Sequence, residues 1–253
     1  MRGDAKQIRL IEELAANSWP AYIQQTLGAW RLRINSDETK RANSVFACGP
    51  FPEHEEWMGI VEDFYRRRSL SPCYYISQTS PAGLDGMLAA AGYRKTEACY
   101  TMIAHCRDLM NRSGMAEPFA CEFAGEASRE WILDFLRLEG YSPDSYEGYV
   151  HIFSAIGPKK AFVILRDQGE VVALGTAVAE RGWAGLSNII VDPQHRGRGA
   201  ATALVRSLAD WSWSNGADQL YLQVLQDNAP ALSLYRKLGF TFMYEYHYRL
   251  LDT

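Results

Sequence analysis

Apolar residues along this chain recur with two spacings, one that suits helices and one that suits strands. From residue 119 onward the two alternate. Phe119 to Phe123 reads as a short strand, and Ala127 to Leu138 as a helix with Trp131, Phe135 and Leu138 on one stripe. A second helix is expected over Ser145 to Ile156. Ala161 to Arg166 and Glu170 to Ala179 form a hairpin across Asp167-Gln168-Gly169, whose glycine suits a tight turn. Ala184 to Val191 is a third apolar strand. A helix starts near Gly199, with Ala201, Leu204, Val205 and Leu208 at helical spacing. Gln219 to Leu225 is the next strand. Pro230 to Leu238 is a short helix with proline in its first turn and Gly239 just past its end. Phe240 to Leu250 supplies one or two closing strands.

The first part of the chain echoes this order. Met1 to Leu14 is an amphipathic helix, and Ala29 to Ile34 and Ser44 to Cys48 are strand-like. Trp57, Ile60, Val61 and Phe64 make a helical stripe, and Cys73 to Ser77 a strand. Leu84 to Ala91 is a short helix ending at Gly92-Tyr93, as the later one ends at Gly239-Phe240. Tyr100 to Ala104 is the last strand. Between the two parts lies Arg107 to Pro118, a polar stretch that brings Asn, Ser, Gly and Pro close together. A seam there gives domains of residues 1–110 and 111–253, each within the usual size range. The repeated order reads as a degenerate internal duplication.

Composition narrows the classes. Of 253 residues, 47% are hydrophobic and 22% charged, which is enough apolar matter for a sizeable core. The net charge is -4 and no long run has one sign, so nucleic acid and anionic membranes are not expected partners. No apolar run reaches membrane-spanning length. The opening segment carries charges throughout, unlike a secretory leader, so the cytoplasm is the expected compartment. Cys48, Cys73, Cys99, Cys106 and Cys121 form no CxxC pair. They read as reduced, small apolar residues, and no metal is expected.

The stretch richest in chemistry runs from Ile189 to Thr202 (IIVDPQHRGRGAAT). An apolar strand enters a turn with two glycines, and an amphipathic helix begins at once. Gly197 and Gly199 lack side chains, so the backbone can turn successive N–H groups toward one anion. The helix start adds its own unpaired N–H groups. Ala200 and Ala201 leave room for a bulky phosphate, and Arg196 and Arg198 can add charge-assisted bonds. No GxxxxGK[ST] is present, so this is not a nucleoside-triphosphate loop. About thirty residues on comes Asn228 to Phe240 (NAPALSLYRKLGF). Asn228 either caps the short helix or bonds a ligand. Tyr235 is either a core aromatic or a phenol that reaches a cleft beside the preceding strand.

These two segments resemble the GNAT superfamily of acyl-CoA-dependent N-acyltransferases. The likeness covers roughly residues 119 to 250. The family's glycine signature falls on Arg196, Gly199 and Ala201, and the Asn-to-Gly-Phe segment follows at the expected separation. The resemblance implies an α/β fold with a mostly antiparallel, twisted mixed sheet flanked by helices, here in tandem. It implies acetyl-CoA as cosubstrate. The strand ending Ile189-Ile190-Val191 would splay from Gln219–Leu225, with the pantetheine arm in the gap on backbone groups of Ile190 and Val191. The diphosphate would lie on the amides of Arg196, Gly197, Arg198, Gly199, Ala200, Ala201 and Thr202. Asn228 would bond the arm or the diphosphate end. Tyr235 would serve as general acid to the leaving thiolate.

The expected activity is transfer of an acetyl group to a primary amine of a small molecule or peptide, in a monomer or homodimer. A non-catalytic acyl-CoA-binding module is the alternative. Many relatives place a carboxylate on the strand before the glycine turn, where this chain has Ser187-Asn188. Glu139, Asp144, Glu147, His151, Glu180 and a water chain remain as candidate bases. The first half has no Arg-Gly-x-Gly turn. Aligning Gly92-Tyr93 with Gly239-Phe240 puts Leu88 opposite Tyr235 and Pro81 opposite Asn228. One active site is therefore expected, in the second half. The first half either shapes the acceptor cleft or stabilises the pair.

Overall fold

Asp4 opens the first helix of the computed structural model, which describes residues 4–36, 38–110 and 119–252. Its carboxylate caps α1 (Ala5–Ser18) by accepting from the Gln7 N–H at 2.7 Å. The helix continues past the expected end at Leu14, and residues 1–3 of that expectation lie outside the described residues. The chain groups into two compact units. One holds Met1–Tyr100 with Met243–Thr253, and the other holds Thr101–Phe242. The sequence pattern assigned everything after residue 110 to the second piece. Of the seam expected at Arg107 to Pro118, residues 111–118 lie outside the described residues.

In the first unit, β1 (Ile23–Leu27) and β2 (Trp30–Ile34) form a hairpin whose turn needs the left-handed φ of Gly28. Next come β3 (Val45–Phe46), α2 (Trp57–Arg66), β4 (Cys73–Ser77) and α3 (Leu84–Ala90). Strand β5 (Arg94–His105) runs through the boundary between the units. The closing strand β11 (Thr241–Leu250) pairs antiparallel with β4, with Tyr248 opposite Tyr75. Trp30, Leu32 and Ile34 alternate with Arg31 and Arg33 along β2, so one face of this strand is apolar and the other sets two arginines against Phe46. Trp57, Val61 and Tyr65 of α2 and Leu88 of α3 cover the apolar face.

The second unit begins with the end of β5 and α4 (Cys106–Met110). It continues through β6 (Ala120–Ala124), α5 (Arg129–Glu139) and α6 (Tyr146–Ser154). Then come β7 (Lys159–Asp167), β8 (Glu170–Glu180), β9 (Trp183–Val191), α7 (Ala200–Ser214), β10 (Gln219–Leu225) and α8 (Ala229–Leu238). Strands here run in the order β10-β9-β8-β7-β6. The pairs β6–β7, β7–β8 and β8–β9 are antiparallel and β9–β10 is parallel, so the sheet is mixed, as expected. Ser128 caps α5, and Gly140 ends it in the left-handed conformation. Trp131 stacks on Phe135 at 5.6 Å, meets Phe162 edge-on at 5.0 Å and donates its ring N–H to the Val163 carbonyl at 3.2 Å.

Helix α7 approaches β8 closely because Gly175 has no side chain. A Cβ there would lie 3.0 Å from Leu208 and 3.1 Å from Leu204. Both leucines are fully buried, which fixes the helix against the sheet and with it the position of the helix start. Truncating either to alanine should cost about 2–5 kcal/mol.

Candidate active site

Strands β9 and β10 run side by side and then separate. Their parallel pairing extends from Trp183 opposite Gln219 to Leu186 opposite Leu222. Both strands go on, to Val191 and Leu225, beyond that ladder. The other side of β9 changes at the same level. Its register with β8 slips between Leu174 and Thr176, so β9 carries an extra residue there. Asn188 takes up the slack at φ +54°, a left-handed conformation that asparagine tolerates better than most residues. Its side-chain amide donates to the Thr176 hydroxyl at 3.0 Å, and both residues are buried. A buried hydrogen bond therefore anchors the bulge.

A cleft of about 850 Å³ lies beyond the end of that ladder, among the last residues of β9, the start of α7 and α8. Ile189, Ile190 and Val191 form one wall. Beyond them Asp192 caps a short turn, Pro193–His195, by accepting from the Gln194 N–H at 2.9 Å. That bond, with the charges of His195 and Arg137 nearby, holds the Asp192 carboxyl below its ordinary range. The chain then reverses through Gly197 at φ +76° and Gly199 at φ +91°. Only glycine enters that region without strain. Gly199 starts α7, and no side chain caps the helix. The first N–H groups of α7 thus lack the usual protein partner at the mouth of the cleft.

Arg196, Gly197, Gly199, Ala200, Ala201 and Thr202 all line this space. Arg198 does not. It points away, with its guanidinium 4.0 Å from Asp167. Arg196 lines the cleft but folds its Nε back toward the Val191 carbonyl at 3.4 Å. Nothing lies within 4 Å of where a Cβ would stand on Gly197 or Gly199, so the space over the turn is open.

Helix α8 closes the cleft. Asn228 caps it, its side-chain oxygen accepting from the Ala231 N–H at 3.1 Å. That resolves half of the ambiguity left by the sequence: the oxygen is engaged by the helix, and the same residue lines the cleft. Tyr235 also lines it, though its side chain is largely buried, with the ring 5.7 Å from Phe240. Burial pushes the phenol up to about 12. The hydroxyl therefore stays protonated at neutral pH, and it has no hydrogen-bond partner among the described residues.

Of the candidate bases, Glu139 lines the cleft, at the end of α5 beside Leu138, and Asp144, Glu147, His151 and Glu180 do not. Leu138, His195, Pro230, Ala231 and Leu234 also line the cleft, with no sequence signal that marks them as lining residues. Leu138 carried only a helical-stripe signal. Leu234 has no chemical signature, and its place follows from the packing of α8. Among the described residues, no group of three or more His, Cys, Asp and Glu side chains could hold a metal ion. No helix among them is long and apolar enough to cross a membrane.

Comparison with known proteins gives concordant matches. The profile described as Acetyltransferase (GNAT) family matches residues 125–240, which contain the whole cleft lining. A second profile, Probable histone acetyltransferase Rv0428c C-terminal, matches residues 5–120. An uncharacterized N-acetyltransferase of Bacillus subtilis (strain 168), YobR, is 44% identical over 243 residues, which is 96% of this chain and 98% of that one. A GCN5-related N-acetyltransferase from Kribbella flavida superposes with a TM-score of 0.71 at 16% identity, covering 100% of this chain and 97% of that one. A tandem GNAT protein from the clavulanic acid biosynthesis pathway superposes with a TM-score of 0.62 at 13% identity, covering 75% and 66%. At such identities the two structures speak to the fold.

Proposed function

The chain belongs to the GNAT family of acyl-CoA-dependent N-acetyltransferases, in a tandem arrangement, and from that premise we propose that the cleft at the end of β9, between α7 and α8, acetylates a primary amine of a small molecule or peptide. One observation carries the reading. A single cleft gathers an open glycine turn, an uncapped helix start and a phenol that stays protonated. The residues suit acetyl-CoA. Amides from Arg196 to Thr202 would hold the diphosphate, as backbone nests and helix starts hold anions. Arg196 adds charge from the rim. The side-chain NH₂ of Asn228, whose oxygen is spent on the helix cap, remains to bond the arm or the diphosphate end.

Acetyl-CoA, when bound, supplies a thioester carbonyl open to attack by a neutral amine. Backbone groups of Ile190 and Val191, freed from β10, orient the pantetheine arm. A main-chain N–H near Ile190 donates to the carbonyl oxygen as charge builds on it. Tyr235 donates its hydroxyl hydrogen to the departing sulfur. Glu139 takes the proton from the amine, directly or through water. The active half is the one bearing the glycine turn.

The test is an assay of thiol release from acetyl-CoA over a panel of small-molecule and peptide amines, with the acetylated product identified by mass. Amine-dependent release with an N-acetyl product is expected. Release by hydrolysis alone, with no amine acetylated anywhere in the panel, would overturn the proposal.

A further inference from the structure

The first unit contains a buried cation that no acid among the described residues neutralises. Arg33 points to the sheet face opposite the apolar core and is 5% exposed. Its guanidinium donates to the Ser44 and Arg41 carbonyls and to the Ser44 hydroxyl. The Nη1 group is buried and donates to nothing among the described residues. Among the described residues, no carboxylate lies within ion-pair distance of Arg33, Arg31 or Arg41. Burying an unpaired cation is costly, and proteins normally pair such a charge.

Two further cations gather around it. Arg31 sits over the Phe46 ring at 5.0 Å, and Arg33 lies 5.9 Å from the same ring. Arg41 stacks on Trp19 at 3.8 Å, and it and Arg33 both act electrostatically on the Tyr248 phenol. Arg31 and Arg41 are only half-buried, so the cluster reaches solvent through them. Phe46, Trp19 and Tyr248 are buried and wall it in. This arrangement has little to offer a cation or an apolar molecule. It offers positive charge, unused N–H donors and flat aromatic faces to an oxyanion.

We propose that Arg31, Arg33 and Arg41, framed by Phe46, Trp19 and Tyr248, form a binding site for a small oxyanion, a carboxylate or phosphate group. The site is separate from the glycine turn and uses none of the residues assigned to acetyl transfer. Arg33 is its buried anchor, and Arg31 and Arg41 close over the ligand from the solvent side.

The experiment is calorimetric titration of the full chain with inorganic phosphate and, separately, with succinate, each with and without saturating CoA. CoA blocks phosphate from the glycine turn, so binding that persists in its presence belongs elsewhere. Saturable binding of at least one probe is expected in the CoA-loaded protein. Arg33→Met should weaken it by at least tenfold, while the CoA affinity stays within about twofold. Should Arg33→Met not fold, Arg31→Gln and Arg41→Gln, at half-buried positions, carry the same test with severalfold losses. Phosphate alone binding marks a phosphate ester as the ligand class, and succinate alone marks a carboxylate. Absence of saturable binding by either probe overturns the proposal, as does binding that the arginine variants leave unchanged. Loss of CoA binding is a separate readout and bears only on the transferase reading.

Discussion

Replacing Tyr235 with phenylalanine removes one oxygen atom and leaves the ring in place against Phe240. No hydrogen-bond partner among the described residues is orphaned, so the melting temperature should stay within about 2 °C of the wild type. The catalytic cost follows from how far the phenol's proton moves. Burial holds it at about 12, whereas a free thiol titrates near ~8.5. Full transfer to a thiolate in water would then be uphill by roughly 5 kcal/mol. The cleft raises the thiol's own value too, because burial disfavours a thiolate as it disfavours a phenolate. That narrows the gap, and a shared hydrogen bond is the minimum expected. A hydrogen bond to a charged group is worth about 1.5–3 kcal/mol, or roughly ten- to 150-fold in rate. Completed proton donation is worth ~10²–10⁴-fold. Tyr235→Phe is therefore expected to lower kcat by about 10²-fold, with little change in KM for acetyl-CoA. Steady-state kinetics on a variant with wild-type circular dichroism is the assay. An unchanged kcat would refute the role of the phenol.

Three further predictions test the frame around that phenol. Gly199→Ala places a side chain at φ +91°, and the left-handed conformation should cost about 1–2 kcal/mol in stability and weaken CoA binding by at least tenfold. Thermal melts and calorimetry read the two effects, and unaltered CoA affinity would contradict the role of the turn. Asn188→Gly keeps the left-handed bulge but loses the bond to Thr176, and should cost about 1 kcal/mol with modest effect on kcat. Asn188→Val strains the backbone as well and should lower kcat/KM at least tenfold, so equal effects of the two variants would speak against the bulge positioning the cleft. In the first unit, the Arg249 hydrogen bond, aided by His247, holds the Asp85 carboxyl down to about 2. Its stabilising contribution is present above the unfolded value of ~4 and is lost as pH falls through about 2. The carboxylate is half-exposed, which keeps the effect small. Asp85→Asn should lower Tm at pH 7, and the difference from wild type should shrink between pH 4 and pH 2.

Much of the secondary structure was legible, because apolar periodicity and glycine or proline punctuation act locally. Strands β4 and β10 match the sequence reading residue for residue. Strand β1 was not foreseen, since Ile23-Gln24-Gln25-Thr26-Leu27 exposes its middle three residues and shows no apolar alternation. Strand β5 begins at Arg94, well before the expected Tyr100, because its polar first residues are mostly exposed and carry no apolar signal. Period two shows that a strand has an inward face without naming its partner. The sequence therefore grouped the closing strand with the second half, whereas Met243–Thr253 belong to the first unit. The cleft itself was largely readable, since the glycine turn and the Asn-to-Gly-Phe segment each carry a local chemical signature. Charge and place in the turn group Arg198 with the site for both its side chain and its amide, but its guanidinium turns toward Asp167 and only the amide is left for the turn. The bulge at Asn188 was not legible, because an asparagine inside an apolar strand gives no sign of its φ.

The amides that follow Val191 carry the central claim. Titrating CoA into ¹⁵N-labelled protein and following each main-chain N–H tests them one by one. Saturable shifts concentrated on Arg196, Gly197, Gly199, Ala200, Ala201 and Thr202 are expected, with Ile190 and Val191 moving in step. Saturating shifts confined to residues before Tyr100, or no saturable change anywhere, would contradict it.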